Sequence, residues 1–100
     1  MNYELKSTAI FDKWFSRMKD RAVRNKILAR LSRIECGNFG DCKQLGPALF
    51  ELRFFFGSGI RIYYTVRGTT VVLLLSGGTK ATQARDIERA AAMLEELEEP

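Results

Sequence analysis

The sequence predicts an α+β fold with the element order β-α-α-β-β-β-α. Two observations carry this. Apolar residues recur at helical spacing near both ends of the chain, while the middle alternates with a period of two. The unlike elements come in runs rather than in strict alternation, which separates this class from a doubly wound parallel sheet.

Tyr3–Lys6 is a short strand. Ile10, Phe11, Trp14, Phe15 and Met18 then share one helical face, with Ser7 or Thr8 placed to cap its start. A second helix from about Asp20 to Ile34 buries Val23, Ile27, Leu31 and Ile34, and carries Arg21, Arg24, Lys26, Arg30 and Arg33 on its other faces. Gly37–Asp41 reads as a loop and Gly46-Pro47 as a turn. Leu49–Phe55 sets Phe50, Leu52 and Phe54 against Glu51, Arg53 and Phe55. After a hairpin turn at Gly57–Gly59, Ile60–Val66 sets Ile60, Ile62, Tyr64 and Val66 against Arg61, Tyr63 and Thr65. Arg67-Gly68 turns the chain again. Thr70–Ser76 is almost continuously apolar, as befits the middle of a sheet. Beyond Gly77-Gly78 a last helix runs from about Thr82 to Glu98. It is expected to bury Ile87, Ala91, Leu94 and Leu97 and to end in the exposed Glu95, Glu96, Glu98 and Glu99. All helices are expected on one face of the sheet, with the other partly open.

One hundred residues support one domain, residues 1–100, with a modest core. At 46% hydrophobic and 28% charged, the chain falls outside the composition of disordered segments. Its net charge of +4 conceals an asymmetry: residues 1–80 carry 14 Lys/Arg and 6 Asp/Glu, residues 81–100 carry 2 and 6. A strongly basic body favours an acidic partner such as nucleic acid. Cys36 and Cys42 without any histidine make neither a zinc site nor a catalytic triad, so no metal and no cofactor are expected. The polar start at Asn2–Lys6 is unlike a signal peptide, and the longest apolar run, Val71–Leu75, is too short to cross a bilayer. The expected location is cytoplasmic, with no membrane partner.

The predicted hairpin sets Arg53 and Arg61 side by side on the open face, with Tyr63 and Phe55 near them. Lys80 follows two glycines that would let the backbone approach a ligand closely. Three cations and one or two aromatics suit a phosphodiester backbone with a stacked, unpaired base. Against this, strand arginines are commonly solvated or paired, here with Glu51. Arg24 and Arg30 on the second helix would steer the chain onto ribosomal RNA, although such charges usually form a wet face. Trp14 reads as core. Asp86 and Glu88 diverge on a helix, and Gly77-Gly78-Thr79-Lys80 lacks the spacing of a phosphate loop.

Taken together, Phe50-Glu51-Leu52-Arg53, Gly59-Ile60-Arg61-Ile62-Tyr63-Tyr64, Leu73–Lys80, Gln83 and Asp86–Ala90 resemble the RelE/ParE toxin superfamily, and within it the HigB-like addiction module killer branch. The likeness spans nearly the whole chain in element order and is sharpest from Leu49 to Ala91. It implies a RelE-like fold, with two N-terminal helices on a small, mainly antiparallel sheet and a C-terminal helix. It also implies a type II toxin that cleaves mRNA on the ribosome and a cognate antitoxin, in this branch often of helix-turn-helix type. By position, Arg53 and Arg61 match the basic sheet residues and Lys80 the basic residue after the last strand. The sequence departs from RelE, which has more lysines on the sheet and a C-terminal catalytic tyrosine, and lacks the histidines of some HigB proteins. The general acid and base are thus left unassigned.

The implied reaction is metal-free: a ribose 2′-hydroxyl attacks the adjacent phosphate, giving a cyclic phosphate and a free 5′-hydroxyl. Arg53 and Arg61 would clamp phosphate oxygens, and Lys80 would add positive charge. Two other readings remain open, a ParE-like gyrase inhibitor and a non-catalytic module that binds RNA or protein.

Overall fold

The computed structural model describes residues 2–98, the side chain of residue 98 excepted. Its elements are β1 (Glu4–Ser7), α1 (Ala9–Ser16), α2 (Arg21–Glu35), β2 (Cys42–Gln44), β3 (Phe50–Arg53), β4 (Ile60–Arg67), β5 (Val71–Thr79), a single 3-10 turn (Lys80–Thr82) and α3 (Gln83–Glu98). The last two residues of the acidic end, 99 and 100, lie outside the described residues. Five strands form one sheet in the order β1-β5-β4-β3-β2. β1 runs parallel to β5, and the other pairs are antiparallel.

Caps set the helices. The Thr8 hydroxyl accepts from Phe11 N and donates to the Leu75 carbonyl, tying the start of α1 to β5. Asp20 accepts from Ala22 N and Val23 N at the start of α2. Gly37, at φ 92°, turns the chain out of α2.

The larger core joins α1 and α2 to one face of the sheet through Phe11, Ile27, Leu31, Ile34, Leu52, Phe54, Ile62, Tyr64, Val72 and Leu74. α3 packs on the opposite face, where Leu49, Tyr63, Leu75 and Ala90 form a second core. The expectation that all helices share one face is therefore corrected. β5 explains why: its apolar run offers Val72 and Leu74 to one side and Leu73 and Leu75 to the other, so both sides must be covered.

Three further differences have local causes. β2 was not predicted, because its three exposed residues form an edge strand with no hydrophobic period. β5 runs on through Gly77-Gly78 to Thr79, past the end expected at Ser76. These glycines admit protein rather than ligand. A Cβ on Gly77 would lie 2.5 Å from Trp14 Cδ2, and one on Gly78 would fall inside the Asp86 carboxylate. Finally, α3 is rotated from its predicted face. Asp86 and Ala90 are buried, Ile87, Met93 and Leu94 half-buried, and Ala91 and Leu97 exposed. Asp86 sets this rotation by sitting against Gly78 and accepting a hydrogen bond from Thr82.

Candidate functional site

Register builds the site. On the α3 side of the sheet, Arg53 lies opposite Arg61 and Glu51 opposite Tyr63. Across the next strand pair, Arg61 faces Gly78 and Tyr63 faces Ser76. A register shift between Tyr63 and Tyr64 changes which residues of β5 share a face with those of β4. The result is a polar strip beneath the first turns of α3, whose Gln83 and Asp86 point into it.

Glu51 sits at its centre, fully buried. Its Oε1 accepts from Arg53 Nε at 2.8 Å and its Oε2 from Gln83 Nε2 at 2.8 Å. Burial alone would push its carboxyl up. The hydrogen bonds from Arg53 and Gln83 and the charge of Arg53 outweigh burial and hold it below the ordinary value. The same contact with Glu51 raises the Arg53 guanidinium. Among the described residues, Nε is the only Arg53 side-chain nitrogen with a hydrogen bond, which leaves both terminal amino groups without a partner there at the partly open end of the strip.

Arg61 is 7% exposed. Its Nη1 donates to the Ile60 carbonyl at 3.2 Å and grazes the Phe54 carbonyl at 3.5 Å, while its Nε is buried without a partner. No carboxylate lies within 4.0 Å of it among the described residues. Ser76 Oγ is also buried without a hydrogen-bond partner among the described residues, and the buried Tyr63 hydroxyl faces the Glu51 carboxylate. Burial, with the nearby charge of Glu51, drives the Tyr63 hydroxyl far above its usual range and keeps it protonated. Lys80 is exposed at the end of the strip. Its amide donates to the Gly59 carbonyl at 2.9 Å, and a Cβ on Gly59 would lie 3.1 Å from Lys80 Cβ and 3.7 Å from Arg61 Nη1. The glycine, at φ 75°, thus has the start of the Lys80 side chain on one side and the Arg61 guanidinium near it.

Arg53, Arg61 and Lys80 therefore converge at the hairpin end of the sheet. The other candidates do not join them. Tyr63 is covered by α3 and cannot offer its ring to a base. Phe55 is 81% exposed but lies on the α2 side of Arg53. Arg24 donates to the carbonyls of Phe15 and Met18 and lies over the Phe15 ring. Arg30 is buried, with Nε, Nη1 and Nη2 donating to the carbonyls of Phe39, Arg53 and Asp41. Burial, then the nearby Arg33, lowers its pKa. Both arginines staple loops to α2 instead of facing outward. A helical wheel cannot tell such a staple from a solvated arginine. Gln83 and Ser76 are site residues that the sequence reading includes in the family resemblance but to which it gives no role, since neither side chain by itself signals a chemistry. No group of three potential metal ligands occurs among the described residues.

Strand order, helix placement and the basic hairpin end together define a RelE-like fold. The E. coli toxin RelE, solved as a mutant in the free state, superposes with a TM-score of 0.73 over 93% of this chain and 97% of RelE, at 22% identity. Residues 13–95 match the family described as phage derived protein Gp49-like (DUF891), and the chain belongs to that family. An uncharacterized protein of Haemophilus influenzae is 41% identical over 97 residues, covering 97% of this chain and 98% of the relative.

Proposed function

We propose that this protein is the toxin of a type II toxin–antitoxin pair, of the HigB-like branch, and that it cleaves mRNA on the ribosome. The observation that carries the reading is Arg61: a nearly buried guanidinium with an unpartnered Nε and no carboxylate within 4.0 Å among the described residues, set between Arg53 and Lys80. A buried cation without a direct ion-pair partner is open to one, and a phosphate would supply it.

In this reading the 2′-hydroxyl attacks the adjacent phosphorus, the P–O5′ bond breaks, and the products are a 2′,3′-cyclic phosphate and a free 5′-hydroxyl. Arg61 and the free amino groups of Arg53 bind the non-bridging oxygens, where charge grows in the transition state. Lys80 adds charge from the open side. Tyr63 stays protonated and Glu51 has both oxygens occupied. Proton removal from the 2′-hydroxyl therefore falls to a group that the ribosome helps to place, and free RNA is a poor substrate. The protein's partners are mRNA in the ribosomal A site and a cognate antitoxin of helix-turn-helix type, and its place of action is the cytoplasm.

The test is induction of the gene alone, followed by growth measurement and mapping of RNA 5′ ends. Arrest with new ends inside coding regions is expected. Arg61→Ala, at equal expression and with parental melting, should lose both arrest and cleavage. Arrest with DNA damage and intact transcripts would overturn the reading in favour of a gyrase inhibitor. Growth without arrest would leave only a binding module.

A further inference from the structure

Arg53 lines a second concavity, a furrow between α2 and the β3–β4 turn. Lys26, Arg30 and Arg33 form its helix wall, and Arg53, Phe55 and Phe56 its turn wall. An adjoining hollow that shares Arg30 and Arg33 continues it towards Gly40. Asp41 is the one acidic residue along either part. Lys26 and Arg33 are exposed, and among the described residues neither has a carboxylate within 4.0 Å. The Lys26 ammonium rests 4.6 Å from the centre of the Phe56 ring, which holds it to the furrow. Arg30 braces both walls, bonding the carbonyls of Phe39 and Asp41 on one side and of Arg53 on the other. The furrow is thus formed in advance of any ligand.

Phe55 is the most exposed large hydrophobic residue of the described chain at 81%, ahead of Ile10 at 56%. Its neighbour Phe54 fills the core, while Phe55, beyond the end of β3, is left out of it. An aromatic face standing among unpaired cations is the arrangement that binds unpaired nucleotides: the cations follow the backbone and the ring stacks on a base.

We propose that this furrow holds the stretch of single-stranded RNA adjoining the cleaved bond, with Lys26 and Arg33 on its phosphates and one base stacked on Phe55. The proposal rests on the RNA reading given above and extends it from the reacting phosphate to its flank. Arg53 joins the two, with its Nε fixed by Glu51 and its free amino groups at the boundary.

The probe is a fluorescein-labelled single-stranded oligoribonucleotide, 2′-O-methylated throughout so that it is not cut. Anisotropy titrations at several salt concentrations compare the full-length protein with Phe55→Ala and with Lys26→Ala/Arg33→Ala. Phe55→Ala should weaken binding roughly fivefold to a hundredfold, as loss of one stacked base does. The double variant should flatten the slope of log K against log salt by about 1.4, as loss of two phosphate contacts to a single strand does. Melting should stay parental, because all three side chains are exposed. If the parent binds and both variants bind with its affinity and salt slope, the furrow proposal is overturned while the RNA reading stands. If the parent binds no RNA, free or on programmed ribosomes, both fall. If Phe55→Ala keeps RNA binding but loses a co-expressed antitoxin, the furrow belongs to a protein and the proposal is overturned.

Discussion

Replacing Glu51 by glutamine tests whether a buried charge organises the site. The substitution keeps shape and removes charge. The carboxylate is fully buried and accepts two hydrogen bonds of 2.8 Å, one from a guanidinium and one from an amide. A hydrogen bond to a charged group contributes roughly 1.5–3 kcal/mol. The Arg53 side chain is 29% exposed and regains water when released, which lowers the net loss. Glutamine can also turn its oxygen towards one of the two donors. The expected cost at pH 7 is therefore about 1–3 kcal/mol, or roughly 5–20 °C in Tm for a domain of this size. The sign of the pH dependence follows from the depressed folded pKa. The charge contributes fully above the unfolded value, near 4.5, and its contribution is lost as pH falls through the folded pKa. Urea denaturation of parent and variant between pH 7 and pH 3 should show a constant gap in stability at the neutral end and a closing gap below the unfolded value. A gap that stays the same down to pH 3, or no gap at pH 7, would refute the assignment of Glu51 as an ionised, stabilising group. With Arg53 unfixed, growth arrest should weaken more than the melting loss accounts for.

Two further substitutions test the packing that positions the site. Gly77→Ala puts a methyl group against the Trp14 ring and should cost about 1–3 kcal/mol by overpacking; the cost should shrink when Trp14→Leu is already present, and equal losses in the two backgrounds would show that the ring is not what it meets. Ala90→Leu should destabilise by about 1–3 kcal/mol, while Ala91→Leu should stay within roughly 0.5 kcal/mol of the parent; the reverse order in thermal melts would restore the helical face read from the sequence.

The strands of the basic hairpin were legible because alternation and a Gly-Ser-Gly turn fix register together, and register alone sets Arg53 opposite Arg61. What periodicity could not supply was the partner of each face. The α3 stripe of Ile87, Ala91, Leu94 and Leu97 is the more apolar one, yet the helix buries Asp86 and Ala90, because Asp86 packs against Gly78 and accepts from Thr82. The arginines of α2 are turned onto carbonyls for a related reason. Arg24 and Arg30 stand at positions that look solvated on a wheel, but nearby loops fold back and place carbonyls against them. In both cases a polar contact outside the helix overrode the helical pattern, and such contacts leave no mark in spacing.

The placement of α3 changes what the basic sheet can do. An open face would have offered Arg53, Arg61 and Tyr63 as a broad, wet surface on which each cation is weakened by water. With α3 over the strip, Tyr63 and Glu51 are sealed in, Arg61 keeps only a narrow outlet, and access remains at the hairpin end through Arg53, Gly59 and Lys80. A cation in such low-dielectric surroundings attracts an anion more strongly than the same cation in water. The buried carboxylate offsets much of the Arg53 charge, so the least compensated cations at the opening are Arg61 and Lys80. One helix thus seals the strip on that side and leaves its basic end open, with the Arg53 fork held in place by Glu51.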